Sequence, residues 1–284
     1  MFKVLTSSPT LPRQGGGSYT FASLNQGGGH TENMLTTHNL TIRFGGHVAV
    51  DHVSCAFQPG TLTAIVGPNG AGKTTYFNLI SGQLRASEGS VHLNGVDITH
   101  EAASARTHRG LGCAFQLTQL FPNLSVIENV RLAVQSRRRQ GLNWWSVWLD
   151  HRGTLDRAIE LVERVKLGAR GQAAASSLPH GDQRKLEVAM LMALEPSVYM
   201  FDEPTAGMSA DDVPVILNLI RALKSERDKT ILLVEHKMDV VRELADRIIV
   251  LHNGQLVADG EPAEVIASPI VQQAYLGIAA QEPA

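Results

Sequence analysis

The sequence has 284 residues, of which 43% are hydrophobic and 18% charged, and its formal net charge at pH 7 is −2. This length allows one large α/β domain or two small ones, and the near-neutral charge does not favour a nucleic-acid partner or an anionic membrane surface. The longest apolar runs, such as residues 188–194, are too short to span a bilayer. Cys55 and Cys113 lack metal-ligand spacing and indicate small core residues in a reducing compartment.

The first 33 residues do not have the composition of a folded segment. Glycine triplets at 15–17 and 27–29 lie among Ser, Thr and Asn, and apolar side chains are too few to offset the entropy of ordering. We therefore expect either a disordered tail over residues 1–33 or a start codon upstream of a working start at Met34. The folded domain is expected to comprise residues 34–284.

From Leu35 onward the pattern becomes that of half-buried strands. Residues 40–44 and 53–57 alternate between apolar and polar side chains. Asn94-Gly95 lies between two short apolar runs and is a strong two-residue hairpin signal. Asn253-Gly254, near the end of the sequence, is a second signal of the same kind. These features predict a small antiparallel sheet. Phe44, which lies upstream of a glycine-rich loop, either packs in the core or stacks on a purine ring.

The glycine-rich loop is Gly67-Pro68-Asn69-Gly70-Ala71-Gly72-Lys73-Thr74-Thr75. It fits the phosphate-binding pattern, in which two glycines five positions apart are followed by Lys and a hydroxyl residue. A buried strand is predicted before it at residues 62–66, and Phe77, Ile80 and Leu84 follow at helical spacing. The strand, loop and helix together predict a site for a nucleoside triphosphate.

Each part of this loop has a chemical reason. A polyphosphate requires N–H donors closer than a Cβ would allow, and Gly67, Gly70 and Gly72 permit that approach. The helix that begins near Gly72 directs the positive end of its dipole at the phosphates. Lys73 is expected to reach the β- and γ-phosphates, and the Thr74 hydroxyl to bind Mg²⁺.

Residues 126–178 are predicted to be mostly helical and contain an unusual cluster of side chains. Arginines occupy positions 137–139, and tryptophans occupy 144, 145 and 148. The indoles could pack locally within an insertion, or the segment could be a contact surface, because Trp and Arg are favoured interface anchors. The sequence leaves both interpretations open.

Polar residues end two predicted buried strands. Residues 198–201 lead into Asp202-Glu203, and residues 231–234 lead into Glu235-His236. A third short strand ends at Gln116. These ends would lie at the carboxyl edge of a parallel sheet beside the phosphate loop, where open α/β sheets bind ligands.

The same residues could hydrolyse a γ-phosphate, which requires a metal, a positioned water and positive groups. Asp202 could hold Mg²⁺ through water, and Glu203 could accept the proton of the attacking water. Gln116 could join the metal shell and the water. His236 could bind the γ-phosphate and fix the position of Glu203.

The motifs, in this order, resemble those of the nucleotide-binding subunit of ATP-binding cassette (ABC) transporters. They are GPNGAGKTT at 67–75, FQ at 115–116, LPHGDQ at 178–183, MFDEPTAG at 200–207 and VEH at 234–236. The likeness is greatest to the ATPases of branched-chain (hydrophobic) amino acid importers. It is carried by RFGGHVAVDHVS, AFQLTQLFPNLSVIENV, the insertion before LPHGDQ and DGEPAEV near the end.

The resemblance implies an α/β P-loop NTPase fold. Its core sheet would be mostly parallel, with an antiparallel β subdomain and a helical signature subdomain at about residues 117–195. Two such domains would dimerise head to tail, so that each ATP lies between one subunit's phosphate loop and the other's signature at residues 178–182. The implied nucleotide-binding set is Phe44, Gly67, Asn69, Gly70, Gly72, Lys73, Thr74, Thr75, Pro179, His180 and Gly181.

The resemblance also implies partners and a location. The dimer, homomeric or heteromeric, would bind two membrane permeases at the cytoplasmic face of the inner membrane, as a peripheral protein. It would act indirectly on a periplasmic solute-binding protein. ATP-driven closure and opening of the dimer would switch the permeases between outward- and inward-facing states.

Three positions depart from the family pattern. Pro179 stands where the signature usually has Ser, His180 where it has Gly, and Ser209 where the loop after Glu203 often has Asp. Pro179 lacks the hydroxyl that would contact the partner's γ-phosphate, although Gly181 keeps its N–H and Pro is favourable at a helix start. The departures therefore concern the contribution to the partner's site.

The sequence also allows other functions. The chain could energise the movement of urea, lipid or lipopolysaccharide, or it could be a non-hydrolysing regulatory module, which Glu203 and His236 argue against. A soluble cassette protein acting on ribosomes or DNA generally has two cassettes or a long coiled coil. This sequence has one cassette and no sustained heptads.

The expectation for residues 1–33 has a direct test. A chain that begins at Met34 should unfold within a few degrees of the full chain in a calorimetric scan and keep its ATPase rate. A large loss of stability would show instead that the glycine-rich segment packs onto the domain.

Overall fold

The computed structural model describes residues 34–114, 120–137, 151–269 and 271–272. The predictions for the N-terminal tail, for Gln116 and for the tryptophan-rich segment lie outside the described residues. No helix in these ranges is long and apolar enough to cross a membrane.

The described residues form both strands and helices. The strands are β1 (Leu35–Phe44), β2 (His47–Phe57), β3 (Leu62–Val66), β4 (Glu88–Leu93), β5 (Val96–Asp97), β6 (Leu111–Ala114), β7 (Val198–Asp202), β8 (Thr230–Val234), β9 (Arg247–His252) and β10 (Gln255–Gly260). The helices are α1 (Lys73–Ser81), α2 (Ala103–His108), α3 (Val126–Arg137), α4 (His151–Arg164), α5 (His180–Ala193), α6 (Val213–Ser225), α7 (Met238–Leu244) and α8 (Pro262–Ala267).

The core sheet has the order β10-β9-β3-β8-β7-β6. Neighbouring strands run parallel from β9 to β6, and β10 pairs antiparallel with β9. Strands β3, β7 and β8 are buried at every residue, which explains their predominantly apolar sequences, because both faces of a parallel sheet are covered. The prediction of a mostly parallel α/β core is confirmed.

A second sheet is antiparallel, as predicted, with the order β2-β1-β4-β5. Asn94 and Gly95 connect β4 to β5 with φ values of 54° and 76°, and Asn253 and Gly254 connect β9 to β10 with 49° and 78°. Positive φ at both central residues is the geometry that favours Asn-Gly in two-residue hairpins. Both hairpin predictions are therefore confirmed.

Helices α3, α4 and α5 pack together and form the helical part of the domain. One face of α4 and the turn after it is buried, and its side chains Ala158, Leu161, Val162 and Val165 have no exposed surface. These side chains share one apolar cluster with residues of α3 and α5. Two short 3₁₀ turns, Gly168–Arg170 and Ala175–Ser177, connect α4 to α5.

Both cysteines lie at or near the core, as expected. Cys55 is buried and Cys113 is partly buried. Burial raises the pKa of the Cys55 thiol to about 11 and that of the Cys113 thiol to about 12. Both thiols are therefore protonated and unreactive at neutral pH.

Helix α1 ends earlier than the apolar spacing predicts. Gly82 adopts a left-handed conformation with φ of 82° and ends the helix, and the N–H groups of Gln83 and Leu84 donate to the carbonyl of Asn78. Leu84 therefore lies beyond the helix, where it is partly buried against the core. The expectation that Leu84 continues the helix was wrong because a glycine supplies the helix end.

A buried arginine completes this helix end. Arg106 of α2 is only 2% exposed, and its NH1 donates to the carbonyls of Leu79 and Ile80 in the last turn of α1, at 2.8 and 2.6 Å. Its remaining nitrogens donate to the carbonyls of Thr99 and Glu101. A cation at a helix C-terminus complements the helix dipole and satisfies carbonyls that have no partner within the helix.

Replacing this guanidinium should destabilise the whole domain. Arg106→Met keeps the apolar stem but leaves buried carbonyls without donors, so we expect the free energy of unfolding to fall by at least about 2 kcal/mol. Urea denaturation followed by circular dichroism measures the change. Arg85→Met, at an exposed position nearby, is the matched control and should be close to neutral; equal stability of the two variants would contradict the assignment.

Candidate functional site

The predicted phosphate loop connects β3 to α1 and is held against both sheets. An added Cβ at Gly67 would lie 2.1 Å from the carbonyl oxygen of Leu251 in β9, and one at Gly72 would lie 2.4 Å from that of Ala49 in β2. Gly70, by contrast, has φ of 79° and open space where its Cβ would be. Packing against the protein's own backbone thus requires Gly67 and Gly72, whereas Gly70 faces open space on the loop.

Lys73, the first residue of α1, points back into the loop. Its Nζ donates to the carbonyls of Gly67 at 2.8 Å and Pro68 at 2.9 Å. Burial lowers the pKa of the Lys73 ammonium, and the charges of Glu203 and Asp202 oppose that shift. The ammonium and both carboxylates therefore share one electrostatic environment, as the sequence predicts.

The rest of the loop is accessible to a ligand. Asn69 and Thr74 are exposed and Thr75 is partly buried, and the first turn of α1 contains no acidic residue. The start of this helix can therefore attract an anion. Phe44, at the end of β1, is 50% exposed, which is the state required for stacking on a purine and not the state expected of a core side chain.

Strand β7 delivers the two carboxylates. Asp202 is its last residue, is buried, and lies opposite Val234 of β8 in the parallel register. Glu203 continues the ladder, because its N–H donates to the carbonyl of Val234 at 2.9 Å. Glu203 has φ of 49°, a left-handed conformation that costs a non-glycine residue about 1–3 kcal/mol and is concentrated at functional sites.

The imidazole of His236 contacts this glutamate. His236 Nε2 lies 2.6 Å from Glu203 Oε1, and the side chains of both residues are more than one-third exposed. The structure therefore brings the two residues together across the carboxyl ends of β7 and β8. Gln116, the remaining residue proposed for this site, lies outside the described residues.

The signature segment begins α5 and packs against the loop that follows β7. Pro179 is the N-cap residue, and Pro179 and His180 are exposed. An added Cβ at Gly207 would lie 3.3 Å from His180 Cδ2, and one at Gly181 would lie 3.0 Å from Asp212 Oδ2. Because α5 begins at His180, directly after Pro179, the proline leaves the start of the helix intact.

A buried lysine, which the sequence did not reveal, joins these two segments. Lys185 Nζ lies 3.0 Å from Asp182 Oδ1 in the same helix and 2.5 Å from Asp212 Oδ1 before α6, and Lys185 is 6% exposed. Asp212 Oδ2 accepts a hydrogen bond from the Ser209 hydroxyl at 2.8 Å. The three-residue spacing of Asp182 and Lys185 was a visible signal, but Asp212 could be recognised only from the fold.

The ion pair should make stability depend on pH. Hydrogen bonds from Lys185 and Ser209 lower the pKa of Asp212 below its usual 3.8, so its stabilising contribution is present above that value and is lost as pH falls through the lowered pKa. Asp212→Asn should reduce the free energy of unfolding by about 1–3 kcal/mol at pH 7, and the difference should shrink below pH 3.8. Urea titrations at several pH values measure it; a difference independent of pH would contradict the ion pair, and Asp211→Asn, at an exposed neighbouring position, is the control.

The chain matches a known family and curated relatives. The family model for ABC transporters matches residues 50–206. The high-affinity branched-chain amino acid transport ATP-binding protein LivG of Escherichia coli K12 is 35% identical over 249 residues, which cover 86% of this chain and 98% of LivG. The probable branched-chain amino acid transport ATP-binding protein LivG of Methanocaldococcus jannaschii is 31% identical, with coverages of 87% and 98%.

Solved structures agree in fold. A nucleotide-free ATP-binding cassette from an ABC transporter superposes with a TM-score of 0.72 at 28% identity, covering 86% of this chain and 98% of that one. The ADP conformation of MJ1267, an ATP-binding cassette of an ABC transporter, gives 0.72 at 29%, with coverages of 87% and 100%. With the phosphate loop, two carboxylates and histidine at one sheet edge, these likenesses establish that the chain belongs to the ABC transporter family, as an ATP-binding cassette protein.

Proposed function

We propose that this chain is the ATP-hydrolysing subunit of an importer for branched-chain or other hydrophobic amino acids. The observation that carries the hydrolytic part is the contact of 2.6 Å between His236 and Glu203, beside a lysine whose pKa responds to Glu203 and Asp202. The names of the LivG relatives support the choice of amino acids. A non-hydrolysing module would have no need of a paired glutamate and histidine at this position.

The residues of the chain divide the chemistry of hydrolysis between them. Loop N–H groups and the Lys73 ammonium bind the phosphates and offset the charge that develops on the γ-phosphoryl group. Glu203 accepts the proton of the attacking water. His236 holds the Glu203 carboxylate in place and donates to the γ-phosphate, while Phe44 stacks on the adenine.

The same edge suits a magnesium ion. In the part of the chain that the structure describes, no group of three or more His, Cys, Asp or Glu side chains could hold a metal by itself. Mg²⁺ bound with a nucleotide commonly takes one or two protein oxygens and completes its shell with phosphates and water. The Asp202 carboxylate and the Thr74 hydroxyl would supply those oxygens, with Gln116 as a further ligand, and the ion would neutralise phosphate charge.

The exposed signature segment belongs to the partner's nucleotide in this proposal. Pro179, His180 and Gly181 lie at the positive end of α5 and would complete the site of a second ATPase subunit, identical or related. Residues 34–284 would form this cassette, with the helical subdomain at about 117–195. The dimer would dock on two permeases at the cytoplasmic face of the membrane and act indirectly on a periplasmic solute-binding protein.

Replacing Glu203 with glutamine should separate nucleotide binding from ATP hydrolysis. Glu203→Gln keeps the size of the side chain but cannot accept the water's proton, so we expect ATP turnover to fall by about 10²–10⁴-fold. Mg-ATP affinity should stay near that of the unmodified chain, because the phosphate loop is untouched. Turnover by the assembled complex and equilibrium binding of a fluorescent ATP analogue measure the two quantities.

A matched control and a clear contrary result accompany this test. Glu264→Gln changes an exposed glutamate in α8, so this variant should leave ATP turnover unchanged. ATP should remain trapped in the Glu203→Gln protein, so the head-to-tail dimer should accumulate on gel filtration with Mg-ATP. Undiminished hydrolysis by Glu203→Gln would show that Glu203 is not the base.

A further inference from the structure

The residue before His236 is a buried carboxylate. Glu235 directly follows β8 and is 3% exposed. Its Oε1 accepts a hydrogen bond from the Thr205 hydroxyl at 2.7 Å, and Thr205 is itself 1% exposed. Its Oε2 accepts hydrogen bonds from the backbone N–H groups of His236 at 2.7 Å and Lys237 at 3.2 Å.

These donors belong to two different loops. Thr205 lies two residues after Glu203, in the loop that follows β7, whereas His236 and Lys237 follow β8. A buried carboxylate is costly unless hydrogen bonds compensate it, and here the compensation comes from both loops at once. Glu235 therefore ties together the two segments that carry Glu203 and His236.

We propose that Glu235 and Thr205 are positioning residues that keep the His236 imidazole on the Glu203 carboxylate. The proposal rests on the proposed hydrolysis by Glu203. The Glu203–His236 contact joins two side chains that are each more than one-third exposed, so water and rotamer freedom compete with it. The Glu203 backbone is also in a left-handed conformation, which is costly for a non-glycine residue and persists only where the surrounding structure holds it. A buried connection between the two loops supplies the rigidity that this contact lacks.

The Thr205 hydroxyl offers the cleanest test. Thr205→Val keeps the shape of the side chain but removes the donor to Glu235, so kcat for ATP should fall by about 10–100-fold, as expected for a misplaced catalytic group. The KM for ATP should change by less than about threefold, because the phosphate loop binds the nucleotide. Thr205→Ser keeps the hydroxyl and should retain most of the activity. Thr107→Val, at an exposed position in α2, is the control substitution.

A second measurement distinguishes positioning from a general loss of structure. If Thr205 acts through the imidazole, Thr205→Val should lower kcat much less in a His236→Ala background than in the unmodified chain. Glu235→Gln should behave like Thr205→Val but more mildly, since its amide can still accept one set of these hydrogen bonds.

Several outcomes would overturn the inference. They are an unchanged kcat in Thr205→Val, equal effects of Thr205→Val with and without the imidazole, or a lowered melting temperature with kinetics unaltered. Failure of the unmodified complex to hydrolyse ATP would contradict the proposed function itself. That result can be told apart from a failure of the positioning role, because it is measured on the protein without any substitution.

Discussion

The parallel register of β3, β8 and β7 brings the phosphate loop, Glu203 and His236 to one edge of the core sheet. Val234 of β8 lies opposite Ile65 of β3 on one side and Asp202 of β7 on the other. The three strands therefore end at the same level of the sheet. The phosphate loop, Glu203 and Glu235 follow at that edge. A slip of one residue in any of these pairings would turn the side chains to the opposite face. Every residue of the three strands is buried, so such a slip would force the core on both faces of the sheet to repack.

Much of this arrangement could be predicted from the sequence because local patterns specify it. In the phosphate-loop motif, the apolar strands and the two Asn-Gly turns, a few neighbouring residues are enough to specify the local conformation. Arg106, Lys185 and Thr205 could not be assigned in this way, since their partners lie far away in the sequence and are defined only by packing. The end of α1 was missed for a related reason. The spacing of Phe77, Ile80 and Leu84 fits a helix, but Gly82 and the contacts of Arg106 end it after Ser81.

Buried charges occur where the fold must hold separate segments in one arrangement. Arg106 joins α1 to the segment after β5, Lys185 joins α5 to the loop before α6, and Glu235 joins the loops after β7 and β8. Each of these charges costs desolvation energy that an apolar side chain would not. Their directional hydrogen bonds instead select one relative placement of the segments they connect, and at Glu235 that placement is the one on which the proposed hydrolysis depends.

The phosphate loop is enclosed by main-chain atoms, and this has a consequence for how the protein can vary. Besides the close approach of Gly67 to Leu251 and of Gly72 to Ala49, the N–H of Gly254 donates to the carbonyl of Ala71, and the N–H of Asp51 donates to that of Gly254. Such contacts do not depend on which side chains the neighbouring strands carry. Side chains of the two sheets can therefore be replaced while the phosphate loop keeps its conformation, provided that the loop glycines are retained. We therefore expect substitutions on the faces of β2 and β9 to leave the loop conformation unchanged, whereas a side chain at Gly67 or Gly72 would collide with the main chain.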